Sequence, residues 1–277
     1  MTLRVLIGTL HSGENEFDQC VAALRRQSYA HWEQFILANL PEREAHERLY
    51  DRFMENAREF DLFLKLDADM VLWAPDKLGA AVCLFEQSPS LDHAVFRVHD
   101  WMTDTPIIGI HLFRNRVRWP ARSNALFIDS PPMVQGQRRY YIRRAPSPLA
   151  LHSPDPSLAQ AFRYGLHRGL KAFQHGRGRA SLLSAVTHWR LLKRLWRHFS
   201  AVRDQRLGLA LLGVEHAASG TVAPDECDYT HPRFQALLVA ARSMTADEIH
   251  RRLRPRWQAP VRRDYHWVRT LLTGPRP

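Results

Sequence analysis

The chain has 277 residues, 45% of them hydrophobic and 24% charged, a globular balance with enough apolar mass for a sizeable core. It contains no apolar run of about 18 residues, which excludes a transmembrane helix; its three scattered cysteines, Cys20, Cys83 and Cys227, argue for a reducing cytoplasm and against a disulfide framework or a cysteine zinc site. Lys plus Arg number 39 against 28 Asp plus Glu, a net charge of +11 that attracts polyanions: nucleotide phosphates, nucleic acid or an anionic membrane surface.

The first residues read as a strand, residues 4–9 (RVLIGT), and not as a signal peptide, because no charged segment with a long apolar stretch follows. Phe17, Cys20, Val21 and Leu24 recur at helical spacing within residues 14–27. Residues 32–38 (WEQFILA) form a second expected strand, and Leu49, Phe53, Asn56 and Phe60 mark the stripe of a second helix. A third strand covers residues 62–66, and Leu78, Ala81, Val82 and Phe85 mark a third helix ending near Ser88. This β-α alternation over about ninety residues predicts an α/β fold with a parallel sheet covered by helices. The pattern then changes. Residues 94–98, 107–113, 124–128, 139–143 and 149–152 look like strands, and Ser157 is placed to cap a helix containing Ala161, Phe162, Leu166 and Leu170. From about residue 176 the chain reads as helical. The expected division is 1–175 and 176–277.

The most informative segment is residues 63–71, FLKLDADMV. An apolar strand stops on two carboxylates, Asp67 and Asp69, which leave the same side because strand side chains alternate. Two hard oxygen ligands together suit a divalent cation bound to substrate phosphates, and a cation offsets their mutual repulsion. His152 follows an apolar strand and precedes a double-proline turn, a rigid place for a third ligand. Asp129, which ends an expected strand in NALFIDSP, and its rival Asp100, in VHDW after the strand at 94–98, are the candidates for a general base, with a surface turn aspartate as the alternative for each. The loop after the first strand, with Thr9 and Leu10, lies at the carboxyl edge where open α/β sheets bind ligands; it lacks G-x-G-x-x-G. A generic βα turn is the alternative for each of these loop residues.

The opening strand–loop–helix, the segment NAREFDLFLKLDAD and the D-x-D at its end together resemble glycosyltransferases of the GT-A fold, a bacterial family-2-like group of nucleotide-sugar enzymes. The likeness is good over residues 3–90, thinner over 91–175 and absent beyond. It implies a Rossmann-like sheet with a helical C-terminal region and a nucleotide-sugar donor, UDP-linked on family grounds. It also implies Mn2+ or Mg2+, and a glycan or lipid-linked acceptor. Asp69 is then the direct metal ligand, and Asp67 contacts ribose or binds the metal through water. Two departures stand out: Asn39 and Glu42 follow the second strand where relatives carry an acid that holds the nucleoside, and no E-D pair marks a catalytic base.

A second distinctive segment is residues 181–199, SLLSAVTHWRLLKRLWRHF. Leu182, Val186, Trp189, Leu192, Trp196 and Phe199 share one face, with Arg190, Lys193, Arg194 and Arg197 around it. That composition serves either an interfacial helix on anionic lipid or a helix packed on its own domain. The expected location is cytoplasmic, with peripheral attachment at the inner membrane as the lipid reading. The rival functions are a basic nucleic-acid-binding protein, a phosphotransferase with an aspartate nucleophile and a GT-A-like domain without activity; nucleic acid is not the expected partner.

Overall fold

The computed structural model describes residues 2–119, 139–141, 148–173 and 179–257. The expected strand at 124–128, the base candidate Asp129 and the side chain of Leu182 lie outside the described residues. The chain forms two compact units, Met1–Trp101 with Thr105–Asp155, and Met102–Asp104 with Pro156–Pro277. The units part between Asp155 and Pro156, ahead of the expected boundary at residue 175, because the helix that follows packs with the other C-terminal helices.

The first unit opens with β1 (Val5–His11), α1 (Phe17–Arg25), β2 (Trp32–Ala38), α2 (Glu42–Glu55), β3 (Leu62–Lys65), β4 (Met70–Leu72) and α3 (Lys77–Gln87). It continues with β5 (His93–Asp100), β6 (Thr105–Arg114), β7 (Arg139–Tyr141) and β8 (Ala150–His152). The strands form one sheet in the order β2-β1-β3-β6-β5-β8-β4, with β7 also on β5. β1, β2 and β3 are parallel, as the β-α repeat predicts. β6 enters antiparallel to both β3 and β5, and β4 is antiparallel to β8, so the sheet is mixed. Residues 66–69 alone link β3 to β4, although β6, β5 and β8 lie between them in sheet order. That passage continues alongside β1 through the amides of Leu66 and Ala68 and carries Asp67 and Asp69 with it.

One face of β3 packs on α2. Leu49, Phe53, Phe60, Phe63, Phe113 and Trp119 form a buried cluster, with the rings of Phe53 and Phe63 stacked at 4.9 Å. Each such side chain contributes roughly 1.5–3 kcal/mol of hydrophobic stabilisation.

The second unit is helical: α4 (Leu158–Phe173), α5 (Arg179–Val202), α6 (Gln205–Ala218), α7 (Pro232–Arg242) and α8 (Ala246–Trp257), with a 3-10 turn at Pro224–Cys227. Ser157 caps α4 as expected, its hydroxyl accepting from the Gln160 amide at 3.1 Å. α4 and α6 touch backbone to backbone. A Cβ on Gly165 would sit 1.6 Å from the Ala210 carbonyl oxygen, and one on Gly213 would sit 2.4 Å from that of Phe162. The apolar face of α5 is a core face: Trp189, Leu192, Trp196 and Phe199 are buried, with Trp196 stacked on His250 at 5.3 Å and Trp189 against Trp257 at 5.6 Å. The lipid reading of that face is corrected here, since these side chains already have protein neighbours. Arg190, Arg194 and Arg197 remain exposed. No helix among the described residues is long and apolar enough to cross a membrane.

Candidate active site

Three segments of the first unit converge at the carboxyl ends of β1 and β3. Pairing with β1 continues past β3, since the amides of Leu66 and Ala68 donate to the carbonyls of Gly8 and Leu10 at 3.0 and 3.1 Å. The Asp67 carbonyl then accepts from the Met70 amide at 2.9 Å, closing a turn around Asp69. β8 brings His152 beside both partners, because its register aligns His152 with Met70 on β4 and with Asp100 on β5. The segment after β8 is tied to the loop before α1. The Asp155 amide donates to the Glu16 carboxylate at 3.0 Å, and Asn15 donates its side-chain amide to the Asp155 carbonyl at 3.2 Å.

The centre of this convergence is a chain of three side chains. Asp100, with no solvent exposure, holds Nδ1 of His152 at 2.6 Å. On the other side of the ring, Nε2 lies 3.3 Å from Oδ2 of Asp69. Ser153, in the left-handed region at φ 46°, donates its hydroxyl to the same Oδ2 at 2.8 Å and its amide to the Asp69 carbonyl at 2.8 Å. Burial alone pushes the Asp69 carboxyl up, but the His152 charge and the hydrogen bonds from His152 and Ser153 outweigh it and hold it down at about 2. Burial likewise pushes His152 down, and the two carboxylates reverse this and lift it to about 10. Cys20 lies beneath: burial, with Asp69 and Asp67 adding, pushes its thiol up to about 12, so it stays protonated and unreactive.

Asp67 has a different environment. Lys65, 7% exposed, holds its Oδ2 at 3.1 Å. Sequence reasoning missed Lys65; its signal was a lone cation inside an apolar strand, a residue type that is almost never buried unless paired. Asp67 is also the more open carboxylate, 33% exposed against 21% for Asp69. Among the described residues, no group of three or more His, Cys, Asp or Glu side chains is placed to hold a metal ion. The expected trio of Asp67, Asp69 and His152 is therefore not gathered as a metal cluster, and Asp67 pairs with Lys65. What is gathered is the pair Asp69–His152, backed by Asp100. A separation of 3.3 Å is long for a charge-assisted bond, normally about 2.7–2.9 Å. It is close to the spacing of two ligands around one cation with bonds of roughly 2.1 Å. A carboxylate on the far nitrogen of a ligand histidine is the usual outer support of a metal site. The residues thus fit a cation that takes its other ligands from water and phosphate, as Mg2+-type sites do.

The other expected residues fall as follows. Thr9 is fully buried and its hydroxyl accepts from Gln34 at 2.9 Å, so its side chain belongs to the sheet and lines no open surface. Leu10 contributes its carbonyl to Ala68. Asn39 sits exposed at the end of β2 with φ 56°, its amide donating to the His11 carbonyl at 2.9 Å. Asn tolerates that left-handed backbone better than most residues, which gives a local reason for its presence there.

No protein-family model matches the chain, and neither does any curated protein. Among solved structures, the chain is similar to the mannosyltransferase PcManGT from Pyrobaculum calidifontis in complex with GDP-Man and Mn2+. The two share 14% identity over 88% of this chain and 87% of that chain, at a TM-score of 0.40. It is also similar to A197 from STIV, with 16% identity over 50% of this chain and 82% of that chain, at a TM-score of 0.37. At these identities and scores the likenesses carry no function across.

Proposed function

We propose that the chain is a GT-A-type glycosyltransferase. It would take a sugar from a nucleotide-linked donor, with Mn2+ or Mg2+, and pass it to a glycan or lipid-linked acceptor. The observation that carries this reading is the convergence of Asp69 and His152 where the D-x-D turn crosses the strand ends, with Asp100 fixed behind the histidine. The resemblance of residues 3–90 supports it and is the ground for preferring UDP as the nucleotide.

In this reading Asp69 and His152 would hold the cation. When bound, a divalent cation supplies Lewis-acid stabilisation to the departing diphosphate. Asp100 would hold the ring so that Nε2 faces Asp69, acting as a positioning residue, and a bound cation would displace the Nε2 proton. In this reading Asp100, buried and bonded to His152, is given no role as general base, and that role is proposed for Asp129, which lies outside the described residues. Lys65 neutralises Asp67, leaving that carboxylate's exposed oxygen for donor hydroxyls. Asn39, exposed at the end of β2, would contact the nucleoside in this reading.

A thermal-shift screen of UDP-, GDP- and CMP-sugars with and without Mn2+ tests the proposal. A donor at 100 times its Kd adds about 2.7 kcal/mol of apparent stability, so a clear rise in Tm is expected with one nucleotide class plus Mn2+. Asp69→Asn should abolish the rise. No stabilisation by any nucleotide sugar in the presence of Mn2+ would overturn the reading. Binding without release of free nucleotide would replace it by a donor-binding domain without turnover.

A further inference from the structure

The helical unit contains a cavity of about 560 Å³ between α6, α7 and α8 that no step above uses. Arg233 of α7 and Arg252 of α8 line it, together with Arg256, Glu215 and His216. The single carboxylate in the lining is already engaged: Glu215 pairs with Arg256 and accepts from the Trp257 indole at 3.0 Å. Neither Arg233 nor Arg252 has a carboxylate partner among the described residues; Arg252 reaches only the Met244 sulfur at 3.8 Å. Burial, then the charges of Arg252 and Arg233, push His216 below its ordinary value, so both guanidinium groups act on one point.

Helix physics makes the placement unusual. Arg233 follows Pro232 in the first turn of an 11-residue helix that carries no acid in that turn. A cation at the positive end of a helix dipole is unfavourable by itself and becomes favourable once an anion sits between them. On the α6 side the Ser219 hydroxyl donates to the His216 carbonyl at 2.8 Å and lies 3.0 Å from that of Thr221, so the two arginines are left as the charged donors, and Leu212, Leu237 and Leu253 supply an apolar wall. Arginine pairs suit the bidentate geometry of phosphate oxygens, and the volume exceeds a bare phosphate.

We propose that this cavity is a binding site for a phosphate-bearing ligand with an organic portion, held by Arg233 and Arg252. The site is independent of the cleft around Asp69 and of the glycosyltransferase reading.

Calorimetric titration of the full chain with inorganic pyrophosphate at constant ionic strength tests it, with sulfate as the control for simple charge. Pyrophosphate should bind more tightly than sulfate. Arg233→Gln and Arg252→Gln should each weaken it about ten-fold, as expected for losing a hydrogen-bonded charge, and the double variant should not bind. Asp69→Asn should bind as wild type does. Should the glutamine variants misfold, Arg233→Lys and Arg252→Lys keep the charge and still lose the bidentate fork, so a weaker affinity is expected from them too. Vesicles of phosphatidic acid in phosphatidylcholine distinguish the source. Capture that the double glutamine variant lowers assigns the phosphate to a lipid headgroup, and variant-sensitive pyrophosphate binding alone assigns it to a soluble ester. Unchanged pyrophosphate and vesicle binding by folded double variant would overturn the proposal.

Discussion

At 2.6 Å from Nδ1 of His152, the Asp100 carboxylate fixes the orientation of the ring. Asp100→Asn keeps the shape and removes the charge. Outer carboxylates of this kind are worth about 10–100-fold in metal affinity, so Mn2+ binding followed by calorimetry should weaken by that range while the fold persists in circular dichroism. Equal affinity in the variant would remove Asp100 from the site. A second residue-scale outcome concerns His188, where burial and then Arg168 and Lys171 push the pKa from 6.5 down to about 2. Above pH 6.5 the residue is neutral folded and unfolded and favours neither state. Below it the unfolded chain takes up a proton that the folded chain refuses, so stability falls as pH drops from 6.5 toward about 2, with a limiting slope of about 1.4 kcal/mol per pH unit. Urea unfolding across that range should show a shallower fall in His188→Gln; an unchanged slope would refute the assignment. Sequence showed Asp67, Asp69 and His152 because each ends an apolar strand. The bond of Asp100 to His152 was not legible, because a bond between residues 52 apart depends on strand register, and register across β5 and β8 leaves no local mark.

Elements differ in how much room their glycines leave. Gly165 on α4 meets the Ala210 carbonyl, so Gly165→Ala must push two helices apart, at a cost of about 1–3 kcal/mol or more. Gly79 on α3 meets only the Tyr29 Cβ at 3.7 Å, so the same change there should stabilise by about 0.4–1 kcal/mol. Chemical denaturation of the two variants should give shifts of opposite sign; two shifts of the same sign would contradict the packing described. The leading β-α repeats were legible because their stripes are local. The second strand, predicted at 32–38, is β2 as observed. β4 was not legible: three residues after a turn carry no periodicity, and only β8 makes them a strand. The apolar face of α5 was visible, but a lipid-facing stripe and a core stripe read alike until Trp257 and His250 are placed against it.

Over the whole molecule, the net charge of +11 acts through exposed arginines while Trp189, Trp196 and Trp257 are buried. Adsorption to anionic vesicles should therefore be electrostatic, present at low salt and lost by about 0.5 M, where the Debye length is only a few ångströms. Tryptophan emission should not shift to the blue. Binding that resists salt, or a blue shift, would show insertion instead. The antiparallel entry of β6 into a parallel sheet was beyond sequence reasoning, since sheet order after residue 93 is set by contacts far apart along the chain. The position of β8 has a further consequence. It lies between β5 and β4, both of which are synthesised long before it. A nascent chain stalled near residue 145 would hold the β4 edge open and the β5 edge paired by β7 only over His93–Val95, leaving Val98–Asp100 uncovered, a state prone to sticking to its neighbours. The chain Asp100–His152–Asp69 would form only when this three-residue strand takes its place between the two.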